Sequence, residues 1–94
     1  MKVGESIRIV RTKVGIRQGE LAARAGVSQS MLSLIETGRR QPSMALIQKL
    51  SEAMDVPAQL VFLLACEPAQ GKEKYGPALQ KLGAAMLELL IAVR

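Results

Sequence analysis

Ninety-four residues suffice for one domain with a short appendage, and a hydrophobic fraction of 49% can build a single core. Aromatic residues make up only 2%, so that core is aliphatic; there is no histidine, and Cys66 is the one cysteine. This removes the usual zinc-ligand sets, a Cys/His or Ser/His nucleophilic pair and an intrachain disulfide framework. The net charge is +5, and residues 1–66 hold nine Lys/Arg against five Asp/Glu while residues 67–94 hold four against three, so the excess a polyanion would attract lies in the first two-thirds.

The amino terminus intersperses Lys2, Glu5, Arg8 and Arg11 and offers no apolar block suited to a signal peptide. The last apolar stretch is split by Glu88 and falls short of the ~20 residues of a membrane span. A cytoplasmic protein with no membrane partner is expected. Gly15, Gly26, Gly38, the Arg40-Gln41-Pro42 corner and Pro57 cut the chain into short pieces, and no sustained period-2 alternation argues for strands. The expected fold is therefore all-α.

A first helix over 4–14 places Ile7, Val10 and Val14 on one face with Arg11 beside them. A second over 18–25 buries Leu21, Ala22 and Ala25, and a third over 29–37, capped by Ser28, buries Leu32 and Ile35. Ser43 caps a fourth with a stripe of Ile47, Leu50 and Met54. The fifth starts near Pro57, whose fixed φ suits a first helical position, and carries Leu60, Leu63 and Leu64. Cys66 closes this apolar stretch and is expected to be a small buried hydrophobe.

Residues 67–77, polar with two Pro and two Gly, read as a linker between a domain over 1–66 and a last helix over 78–94. In that helix Leu79, Leu82, Met86, Leu89 and Val93 follow 3-4-3-4 spacing, and Leu87, Leu90 and Ile91 widen the stripe. So apolar a helix must cover its own domain or meet a partner. Leu79, Leu82, Met86, Leu89, Leu90 and Val93 are the candidate dimerisation residues.

The second and third helices carry the chemistry. Two helices that cross steeply need a small residue at the crossing, which Ala22 supplies, and a turn that tolerates positive φ, which Gly26 supplies. With Leu32 and Ile35 turned inward, the third helix presents Gln29, Ser30, Ser33 and Leu34. Gln can pair with adenine in two hydrogen bonds, and an exposed Leu suits a thymine methyl group.

The run from Gln18 through Leu21-Ala22, Gly26-Val27-Ser28, Ser33, Ile35-Glu36 and Gly38 to Pro42 resembles the phage repressor/Cro type of helix-turn-helix, the lambda-repressor-like or xenobiotic-response-element family. The likeness extends from about Val3 to Leu64. It implies a five-helix domain that docks its third helix in the major groove of double-stranded DNA. It further implies base reading by Gln29, Ser30 and Leu34 with Ser33 flanking them, and phosphate contacts from Gln18, Arg39 and Arg40. Gln18 would also lean on Gln29, and Arg11 and Glu36 would form an ion pair joining the first helix to the end of the third.

Arg17 departs from the family pattern, which has a Thr or Ser cap there. It either reaches a phosphate, the preferred reading, or projects into solvent. The expected function is a sequence-specific transcriptional regulator, a repressor, binding a two-fold symmetric operator as a homodimer. The alternatives are an antitoxin-like autoregulator whose last helix binds a protein partner, and a fold that serves only in protein–protein contacts. Without histidine, paired carboxylates, a phosphate-binding glycine loop or a ligand cluster, no enzyme activity, cofactor or metal is expected.

Overall fold

In the computed structural model, which describes residues 2–66 and 75–93, every regular element is a helix: α1 (Val3–Val14), α2 (Gln18–Ala25), α3 (Gln29–Glu36), α4 (Met44–Ala53), α5 (Ala58–Ala65) and α6 (Gly76–Ala92). The turn chemistry sets the breaks. Gly26 takes φ +74°, and the N–H of Val27 donates to the carbonyl of Ala22 at 3.0 Å, closing α2 with a left-handed residue that a Cβ would strain. Gly38, at φ +78°, does the same after α3 and turns the chain into the Arg39-Arg40 loop. Ser28 and Ser43 accept from the backbone N–H of Met31 and Leu46, capping α3 and α4.

The core is aliphatic, as the composition requires. Ile7, Val10, Leu21, Leu32, Ile35, Leu50, Leu60 and Val61 are fully buried, with Met54 beside them. Each such side chain contributes roughly 1.5–3 kcal/mol by leaving water. Two close approaches tie α1 into this core. Gly4 lies so near α3 that a Cβ would collide with the carbonyl oxygen of Ile35. The buried hydroxyl of Ser6 donates to the carbonyl of Val61 at 2.6 Å, joining α1 to α5.

One local expectation is corrected, at Cys66. Pro57 is the N-cap of α5, with extended backbone at ψ 141°. The proline ring that suits a first turn also disfavours nothing at the cap, where no N–H is required of it. Cys66 is only half-buried: α5 ends at Ala65, and Cys66 is its extended C-cap residue. Val14, on the face of Ile7 and Val10 as expected, packs partly buried against the core at the end of α1. The stretch read as a linker lies outside the described residues at positions 67–74, and α6 already begins at Gly76 with Pro77 in its first turn.

α6 packs on α5. A Cβ on Gly83 would stand 2.9 Å from both Leu63 Cβ and the Leu64 nitrogen, so glycine sets how closely the two helices approach. Leu87 enters the common core at 3% exposure, and Gln80 Nε2 donates to the carbonyl of Leu64 at 3.3 Å, satisfying one of the open carbonyls at the end of α5. Met86, Leu90 and Ile91 pack partly against the core, while Leu82, Leu89 and Val93 are exposed. Among the described residues no helix is long and apolar enough to cross a membrane.

Candidate nucleic-acid interface

Ala22 is buried where α2 meets α3, and Gly26 reverses the chain between them. Burial of Leu32 and Ile35 then fixes the rotation of α3. Gln29, Ser30 and Leu34 emerge on the opposite face, Leu34 at 39% exposure, with Ser33 half-buried at its flank. These four residues and Gln18 line one shallow depression. The structure thus gathers every residue expected to read bases onto one surface.

Cations border it. Arg17 is exposed at the start of α2 and makes no side-chain cap. Arg39 and Arg40 are exposed beyond Gly38, and both of their backbone N–H groups donate to the carbonyl of Leu34, at 2.9 and 3.2 Å, so the loop is anchored to the outer face of α3. Lys2 joins this loop by donating from Nζ to the carbonyl of Gly38 at 3.0 Å. The sequence reading missed Lys2: its partner is 36 positions away, and no local pattern links the two. Arg24, by contrast, is engaged with Glu20 at 2.8 Å and with the carbonyl of Ala53.

Behind the surface, Arg11 and Glu36 form the expected ion pair in forked geometry, Nε to Oε2 at 2.7 Å and Nη2 to Oε1 at 3.0 Å. Glu36 is 2% exposed, and Arg11 spends its remaining Nη1 on the carbonyl of Ile16. The carboxylate therefore carries charge-assisted bonds on both oxygens. Gln18 adds a third, donating from Nε2 to Glu36 Oε1 at 3.1 Å. Its own Oε1 accepts from Gln29 Nε2 at 3.3 Å, so Gln18 leans on Gln29 as expected. The carboxamide of Gln29 lies over Gly19, where a Cβ would come within 3.3 Å of Gln29 Oε1. Among the described residues no cluster of three potential metal ligands occurs.

Comparison with known proteins places this geometry in a family. A helix-turn-helix family model matches residues 7–61, more than half of the chain. The uncharacterized HTH-type transcriptional regulator y4dJ of Sinorhizobium fredii is 39% identical over 54 residues, which cover 57% of this chain and 70% of that protein. An uncharacterized HTH-type transcriptional regulator of Archaeoglobus fulgidus is 32% identical over 66 residues, 70% of this chain and 94% of its own length. The competence pilus inhibition repressor of Acinetobacter baylyi is 32% identical over 65 residues, 69% of this chain and 59% of its own length. Against two mycobacterial regulators the match spans 49% of their length, so the chain corresponds to about half of those relatives. The chain belongs to the helix-turn-helix family of DNA-binding transcription regulators, in its Cro/repressor branch.

Proposed function

We infer that the chain is a transcriptional repressor that binds a two-fold symmetric operator as a homodimer. The observation that carries this reading is the outward edge of α3: Gln29, Ser30 and Leu34 exposed together at the start of a serine-capped helix, bordered by Arg17, Arg39 and Arg40. Gln29, Ser30 and Leu34 read base edges, Ser33 flanks them, and the arginines with Gln18 hold phosphates. One such edge spans too few bases for useful discrimination, whereas two edges ~34 Å apart read successive major grooves. The repressor named in Acinetobacter baylyi supports the sign of regulation.

Selection of binding sites from random double-stranded DNA tests the reading. It should return an inverted repeat with half-sites one helical turn apart, about 10–10.5 base pairs centre to centre. Gln29→Ala should then weaken the selected operator by about 1–3 kcal/mol while sparing random DNA. Equal losses on both would remove Gln29 from base reading.

The exposed residues of α6 also favour a second reading, in which that helix binds a different protein and the DNA-binding half autoregulates, as an antitoxin does. A protein that co-purifies stoichiometrically and is released when Leu89 is replaced would favour it over self-association.

A further inference from the structure

The outward line of α6 carries no charge. At about 100° per residue, Ala78, Leu82, Ala85, Leu89 and Ala92 fall along the side opposite Gly83 and Leu87, and all five are exposed. Leucines alternate with alanines along it. The two edges of this face differ. One carries Met86 and Val93. The other carries Lys81 and Glu88, both exposed and neither in an ion pair among the described residues. These two lie about 10 Å apart along the helix, too far to neutralise each other.

We propose that this face meets the same face of a second copy with the two helices antiparallel, Lys81 of each chain beside Glu88 of the other. A two-fold axis makes every contact occur twice, so the face must complement itself. Antiparallel helices that overlap along the whole of Gly76–Ala92 set Leu82 against Ala85 of the second copy and Leu89 against its Ala78. Each bulky side chain then meets a small one, which lets the axes approach. The charged edges run side by side and bring Lys81 to Glu88 twice, while the apolar edges meet each other. A slip of one heptad would put Glu88 beside its own copy. Parallel helices would press the charged edge of one chain on the apolar edge of the other, Lys81 on Met86 and Glu88 on Val93, leaving both charges unpaired. A different protein would place no demand that this face complement itself.

The inference rests on the homodimer reading, and the test separates the two. Sedimentation equilibrium measures association of the full chain. Lys81→Glu alone and Glu88→Lys alone each turn two attractions into two repulsions, so the dimer dissociation constant should rise about tenfold for either. An equimolar mixture of the two variants should recover wild-type association, because in the mixed dimer every contact between positions 81 and 88 again joins opposite charges. Oxidation of Ala78→Cys in a Cys66→Ser chain reads the direction separately. Residue 78 should lie about 16 Å from its own copy, so the variant should not link to itself, but it should link to a Leu89→Cys chain of the same background. A mixture no tighter than its components, or an Ala78→Cys chain that links to itself, would overturn the antiparallel pairing and leave the homodimer standing. A wild-type chain that stays monomeric, alone or with a different protein on α6, fails the homodimer and this inference with it.

Discussion

Gly4 shows how much can depend on a missing methyl group. An alanine there would drive its Cβ into the carbonyl oxygen of Ile35, and backbone cannot swing aside as a side chain can. Gly4→Ala should destabilise the fold by about 1–3 kcal/mol, the cost of overpacking a tight contact, although alanine ordinarily strengthens a helix. Urea titration measures it, and a variant as stable as the parent would mean that α1 and α3 separate freely. Gly4 was not legible in the sequence, and neither was the bond from Ser6 to Val61, because both depend on contacts 31 or more residues away. Gly26, Ser28 and Gly38 were legible because turns and caps are decided within four residues. At the rim, Arg40 is exposed in a loop whose backbone is already anchored to Leu34. Arg40→Ala should therefore leave the fold alone, weaken binding to all DNA sequences alike, and flatten the salt dependence by about one unit per monomer. An unchanged slope would take Arg40 out of the phosphate set.

Among the elements, α2 is one whose sequence and structure disagree. Its N-cap, Arg17, sits at φ −74° and ψ 151°, which matches Ser28 at φ −73° and ψ 151°, the cap that accepts from the backbone of α3. The backbone at residue 17 is thus already shaped for a capping side chain, yet it carries one that can only donate and whose charge opposes the helix dipole. Arg17→Ser should raise stability by about 1 kcal/mol, read from thermal or urea unfolding. The same substitution should lower affinity for DNA of any sequence, since it removes a cation from the rim of the surface proposed to read bases. A gain in stability with unaltered DNA binding would show that Arg17 merely projects into solvent. The conflict is local and was visible in the sequence; under the proposed function, a phosphate of the bound DNA compensates for it.

For the whole molecule, the question is what the last helix does. Its 3-4-3-4 spacing singles out Leu79, Leu82, Met86, Leu89 and Val93 as one seam, but spacing does not say which side docks on α5. Gly83 decides that, since only a glycine lets the helix approach Leu63 and Leu64 so closely, and hydrophobicity scales give it no weight. The docking side is Gly83 and Leu87, with Met86 and Leu90 partly drawn in, and Leu82, Leu89 and Val93 are left at 51%, 67% and 74% exposure. Two substitutions two residues apart therefore separate two roles. Leu87→Ala opens the core and should cost about 2–5 kcal/mol of stability. Leu89 is 67% exposed, so Leu89→Lys should leave the unfolding of the single chain as before, while light scattering should show dissociation of the proposed homodimer. Its affinity for a full operator should then fall to that for a half-site, because the second reading edge no longer arrives with the first. If Leu89→Lys remains a dimer with undiminished operator affinity, the exposed face of α6 is not where two copies meet.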